Sequence, residues 1–181
     1  EPLIENRSWY FEVERCVPPV PMPMPGEQLA PGPRTVVVAG DGAGPEARHI
    51  AASGGWPLLA EPSSGARDEH AIGAYRLILA GHPVANRIER VVCLGHPTLS
   101  RPVTSLLLRD DIEVVHVGGP RTFPGPAGPN VRFVDRVDVD EADDTDWFPA
   151  WVEADRVARA AIDMLAPPAH RLAEAVWRAS V

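Results

Sequence analysis

The chain has 181 residues, 45% hydrophobic and 23% charged, a balance that suits one globular domain with trimmings. All 17 basic residues are arginines; against 25 acidic residues they leave a net charge of −8, which argues against a nucleic-acid partner or an anionic membrane surface. The absence of lysine excludes a Walker-A lysine, a Schiff-base lysine and a lysine general base within the chain, and no apolar run reaches the ~18 residues a membrane span needs.

Residues 1–33 read as an interdomain linker or arm. Val17-Pro18-Pro19-Val20-Pro21-Met22-Pro23-Met24-Pro25-Gly26 is proline-locked and extended, a density that forbids helix and interior strand. Trp9, Tyr10 and Phe11 are too apolar for a solvated tail and are expected to dock on a surface. Residues 34–166 then read as an α/β domain. Thr35-Val36-Val37-Val38-Ala39-Gly40 is a β-branched run with a glycine stop, expected as a strand buried on both faces. Pro45 opens a helix that Gly54-Gly55 ends. Pro57 to Ala60 is a short second strand, and Ile72, Tyr75, Leu77, Ile78 and Leu79 mark a helix to about Gly81. Val91 to Leu94 is a third strand, followed by Gly95-His96-Pro97, a capping Ser100 and a helix to about Arg109. Ile112 to Val117 and Val131 to Val134 are further strands, with Val137 to Val139 a weaker one. Trp151, Ala158, Ala161, Ile162 and Leu165 repeat on one helical face, and Pro167-Pro168 stops that helix. Residues 167–181 begin another, whose apolar face (Leu172, Val176, Ala179) has no obvious partner in this domain. Strands alternating with helices imply right-handed crossovers and a parallel sheet.

Most chemical motifs are weak. Neither Cys16 nor Cys93 belongs to a Cys-x-x-Cys, and mid-strand Cys93 reads as a small buried hydrophobe. The six histidines (His49, His70, His82, His96, His116 and His170) never stand at i, i+4 with a second ligand, so no metal site is expected; His116 reads as a half-buried strand histidine. No Gly-x-Ser-x-Gly elbow anchors a hydrolase triad. Gly40-Asp41-Gly42-Ala43-Gly44 fits two positions of a dinucleotide fingerprint, with Glu61 near the spacing of a ribose-binding acid, but Pro45 holds the third glycine position. The alternative is a structural glycine loop. The same Gly-Asp-Gly also opens a diphosphate and magnesium motif, yet neither Asn86 nor Asn130 has the spacing to complete it.

Two loops stand out. In an open α/β sheet, ligands collect at the carboxyl ends of the strands. His96 to Arg101 follows the third strand and Gly118 to Arg121 the fourth. If those strands are neighbours, ~4.8 Å apart, Arg101 and Arg121 can converge on one anion. The competing reading is that Arg101 solvates a helix start and Arg121 caps a loop.

The strings Thr35-Val-Val-Val-Ala-Gly-Asp-Gly-Ala-Gly44, Ala60-Glu-Pro-Ser-Ser-Gly65, Leu94-Gly-His-Pro-Thr-Leu-Ser-Arg-Pro-Val103 and Gly119-Pro-Arg121 give the chain a resemblance. It resembles the central domain of the actinobacterial 2-succinyl-5-enolpyruvyl-6-hydroxy-3-cyclohexene-1-carboxylate synthase family, thiamine-diphosphate enzymes of menaquinone biosynthesis. The resemblance implies a Rossmann-like three-layer α/β fold with a five- to six-stranded parallel sheet. It implies that residues 1–33 join a preceding domain and 167–181 open a following one, consistent with a chain starting Glu1-Pro2-Leu3 that reads as a piece of a longer protein. The parent would be a cytoplasmic homo-oligomer that decarboxylates 2-oxoglutarate and adds the succinyl unit to isochorismate. Its thiamine diphosphate and Mg2+ would be held by the flanking domains, so no cofactor is expected on this chain, which should be inert alone. By position, Arg101 matches a basic residue extended toward substrate carboxylates, with Ser100 where some members carry a second basic residue. Arg121 and His96 match a regulatory anion pocket of some members, with histidine in place of arginine at His96. The rival readings are a stand-alone nucleotide-binding Rossmann-like module and an assembly scaffold.

Overall fold

The computed structural model describes residues 26–118, 128–139, 146–165 and 168–179. In chain order the elements are β1 (Glu27–Leu29), β2 (Thr35–Ala39), α1 (Pro45–Gly54), β3 (Leu58–Ala60), α2 (Tyr75–Gly81), a short 3-10 helix (Pro83–Arg87), β4 (Arg90–Leu94), α3 (Arg101–Leu107), β5 (Glu113–Val117), β6 (Val131–Val134), β7 (Val137–Val139), α4 (Trp147–Leu165) and α5 (Pro168–Arg178). Five strands form one all-parallel sheet in the order β3-β2-β4-β5-β6. Every residue of β2, β3 and β4 is buried, as expected of parallel strands covered on both faces.

The strand alternation divides the core in two. Val36, Val38, Val91, Cys93 and Val114 face α2, α3 and α4, where Ile78, Leu106 and Trp151 meet them. Val37, Ala39, Val92, Leu94 and Val115 face the opposite side, against Ala47, Ile50 and Ala51 of α1 and the ring of Trp56. The result is the Rossmann-like three-layer α/β fold. Cys93 is fully buried, and burial, aided by the Glu61 carboxylate, pushes its thiol up to about 12.

Local sequence explains the helix limits. Pro45 opens α1 with its φ already suited to a helix. Gly55 ends it in the left-handed conformation (φ 60°), its N–H turned back to the Ala51 and Ala52 carbonyls. Helix α4 is pinned at its start, where Trp147 Nε1 donates to the Thr35 carbonyl at 2.7 Å and its ring meets Trp151 edge-on, centroids 5.8 Å apart.

Four expectations are corrected. Glu27–Leu29, inside the expected arm, form a strand that pairs in parallel with β7, so Val137–Val139 bind β1 rather than extend the main sheet. Leu29 supplies the reason: it is 1% exposed and fills the core on the α1 side. Helix α2 starts at Tyr75, because Ile72 is drawn into pairing with β3, its N–H bonded to the Leu58 carbonyl. Ser100 does not cap α3: its hydroxyl is buried without a hydrogen-bond partner. Leu165, placed by periodicity on the core face, is 86% exposed, since the packed part of α4 comprises Trp147, Trp151 and Ala154. The expected docking of Trp9 to Phe11 and the position of Cys16 lie outside the described residues.

Candidate functional site

The strand order reverses between β2 and β4, the place where open α/β sheets hold their ligands. In this chain the backbone itself fills that crevice. Gly40 N donates to the Leu94 carbonyl (2.9 Å), and Asp41 and His96 exchange both backbone bonds (3.1 and 2.8 Å). Ala43 N donates to the Gly40 carbonyl and Gly44 N to the Ser64 carbonyl. A side chain on Gly40 would run into the Pro97 backbone, and one on Gly95 (φ 67°) would meet Ala43 N at 2.7 Å. The glycines thus serve close loop–loop packing. A nucleotide or thiamine diphosphate cradle needs free backbone N–H groups, and here four of the loop's amides already face carbonyls. Nor do the described residues hold a group of three His, Cys, Asp or Glu side chains able to take a metal ion. The glycine loop therefore does not fit a diphosphate with its Mg2+.

Glu61 has a role that its spacing did not reveal. Its side chain is fully buried at the end of β3, and its two oxygens accept from Leu99 N (2.9 Å) and Thr98 N (3.1 Å). Both amides lie just ahead of α3, so the carboxylate ties the loop to the helix start. Charge-assisted bonds of this type are roughly twice as strong as neutral ones. A carboxylate so engaged cannot also grip a ribose. An acid closing the apolar strand Leu58-Leu59-Ala60 was the available signal, but a bond spanning 37 residues is invisible to local pattern.

With the loop held this way, Arg101 occupies the first helical position of α3 at the carboxyl edge, as its spacing predicted. Its side chain is exposed and makes no ion pair or hydrogen bond among the described residues. It lines an open groove of about 450 Å³ between α3 and the end of α2, with Asn86, Ser105 and Arg109. Arg109 is already taken, by Asp111. Ser100 lies behind Arg101, 2% exposed, and presents no hydroxyl to the groove's solvent.

The second predicted anion position is half described. β4 and β5 are indeed neighbours, with Leu94 beside Val117, so their following loops leave one edge of the sheet. Arg121 itself lies outside the described residues. His96 is half-buried at that edge, near enough to His116 for a charge on one to oppose a charge on the other. Burial holds the His116 imidazole below the ordinary histidine range; both its nitrogens lack hydrogen-bond partners, and its ring lies 5.4 Å from that of Phe133. His116 is thus half-buried, as its place on a strand predicts, but its ring nitrogens have no partner among the described residues.

No family model matches the chain. Against curated proteins it is 48% identical, over 99% of its length, to a 2-succinyl-5-enolpyruvyl-6-hydroxy-3-cyclohexene-1-carboxylate synthase of Nocardioides sp., of which it covers 36%. It is 45% identical over 81% of its length to the synthase of the same name from Kineococcus radiotolerans, covering 28% of it, and 40% identical over 92% to that of Leifsonia xyli subsp. xyli, covering 32%. The chain spans about a third of the length of these relatives. With this similarity running along nearly the whole chain, over the Rossmann-like sheet just described, the chain is a homologue of about one third of the 2-succinyl-5-enolpyruvyl-6-hydroxy-3-cyclohexene-1-carboxylate synthases it matches.

Proposed function

We propose that the chain is the non-catalytic central domain of a cytoplasmic thiamine-diphosphate carboligase of menaquinone biosynthesis, one that joins decarboxylated 2-oxoglutarate to isochorismate. Its contribution is Arg101. The observation that carries this reading is an exposed guanidinium, without a partner among the described residues, at the carboxyl edge of a domain whose relatives bear that synthase's name. A planar fork in that position can take a substrate carboxylate with two parallel hydrogen bonds. Thiamine diphosphate and Mg2+ would supply the chemistry from flanking domains of the same polypeptide, since the glycine loop of this chain offers them no cradle. Residues 1–33 and 167–181 serve as the junctions to those domains in a homo-oligomeric parent.

In the complete enzyme, Arg101→Ala is expected to lower kcat/KM about 10- to 100-fold, the worth of one charge-assisted bond at ~1.5–3 kcal/mol. The chain alone, supplied with thiamine diphosphate and Mg2+, should not turn over. Unchanged kcat/KM in the variant, or turnover by the chain alone, refutes the reading. His96 and Arg121 form a regulatory anion position in the same proposal. Titration with dihydroxynaphthoate should change the rate of the complete enzyme, and a flat response removes that part. The rival nucleotide-binding reading finds its phosphate amides and its ribose acid engaged within the chain.

A further inference from the structure

A different region carries an inference independent of the synthase reading. Between the loop ahead of α2, α4 and α5 lies a half-open pocket of about 250 Å³. At ~30 Å³ per water, that is room for roughly eight waters, or one ring with a small substituent. Its walls are largely apolar, with Ala74, Ile162 and Ala173 among them. Two guanidiniums converge on a single indole there: Arg67 lies 4.1 Å from the Trp177 ring centroid and Arg159 5.3 Å from it. Arg159 is fixed by Asp155, Nε to Oδ2 at 2.6 Å. Arg67 has no ion pair or hydrogen bond among the described residues, and its Nε is buried without a partner. Burial and the neighbouring Arg159 both pull the Arg67 guanidinium below its ordinary range.

Arg159 already has Asp155 as its counter-ion, so the unmet charge in this largely apolar pocket is that of Arg67, and a carboxylate entering beside it supplies the missing hydrogen-bond acceptor. We propose that this pocket binds a small monocarboxylate with a flat apolar body, its carboxylate between Arg67 and Arg159 and its body against Trp177 and Ala173. Trp177 is suited to the body because an indole face packs well against a flat ring. The single charge follows from Asp163, an exposed carboxylate in the same lining, which opposes a second negative charge on the ligand.

Benzoate is the probe, with acetate and succinate as controls for the missing body and the extra charge. Titrated into the 181-residue chain and followed by calorimetry and by the Trp177 indole N–H resonance, benzoate should bind once per chain, with a Kd on the order of 1 mM. Acetate and succinate should bind at least about tenfold more weakly. Arg67→Gln should weaken benzoate at least about tenfold, and so should Ala173→Leu, which fills the pocket from the other side without touching a charge. Thermal melts identify the folded variants, and either one suffices. A Trp177 resonance that does not move saturably with benzoate overturns the proposal, as does binding that survives the folded substitution or fails to discriminate against succinate.

Discussion

The two edges of the sheet treat arginine in opposite ways. At the amino edge three arginines are tied down. Arg34 pairs with Glu89, and Arg132 with Glu113 and Glu27. Arg90, 4% exposed, donates to Thr35 Oγ1 and the Ala30 carbonyl, both at 2.9 Å, and lies over Trp56. These bonds join β1, β2, β4, β5 and β6 where the chain enters the sheet, so the arginines there are fastenings. At the carboxyl edge the fastening is done by backbone and by one carboxylate, Glu61, and Arg101 is left without a partner among the described residues. Where every basic residue is an arginine, pairing is what separates the fastenings of the amino edge from Arg101, which stands available to a ligand at the carboxyl edge.

That contrast can be broken by substitution, and the largest effect is expected at the carboxyl edge's backbone. Gly40→Ala drives a methyl into the Pro97 backbone and should cost about 3 kcal/mol, read as a fall in the urea midpoint. Arg90→Met keeps the length but strands the Ala30 carbonyl and takes one of two bonds from Thr35 Oγ1, which still donates to the Pro33 carbonyl, and should cost about 2 kcal/mol. Glu61→Gln retains the volume yet turns an amide N–H toward a backbone N–H, for a loss of about 1–2 kcal/mol by the same measure. Arg101→Ala should leave stability within about 0.5 kcal/mol while lowering activity in the complete enzyme. A comparable stability loss at Arg101 would erase the distinction between the edges.

A smaller effect is expected with pH. His116 is held below its unfolded value near 6.5, so the unfolded chain binds its proton more readily. Stability is then complete above about pH 6.5 and declines as pH falls below it. The urea midpoint should drop between about pH 7.5 and 5.5, and His116→Phe should flatten that drop. The paired carboxylates of Glu89, Asp111 and Glu153, held low chiefly by side-chain hydrogen bonds from arginine, titrate further toward acid and leave this window clear.

What could be read ahead of the coordinates followed from how much of each element was local. The strands at Thr35, Val91 and Glu113 are apolar runs that need burial on both faces, so composition alone declares them. β1 has one apolar residue in three and exists through its pairing with β7, more than a hundred residues later. The position of Arg101 was legible because a strand, a Gly-His-Pro turn and a Pro at the second helical position fix where that helix begins. The fates of Ser100 and Glu61 were not. A serine before a helix suggests a cap, but Glu61 holds the neighbouring loop amides and the serine hydroxyl is buried behind the loop. The glycine loop misled for a related reason. Glycine allows close approach, and sequence cannot say whether the approaching group is a phosphate or, as here, another loop of the chain.

The Cys93 thiol has a practical consequence. Sealed in the centre of the sheet and barely able to ionise, it is shielded from alkylating reagents as long as β2, β4 and β5 stay together. With Cys16 replaced by serine, the rate at which iodoacetamide modifies Cys93 becomes a clock for rupture of the entire sheet, unresponsive to fraying at the helices. Each substitution above can then be ranked by how often the molecule comes apart.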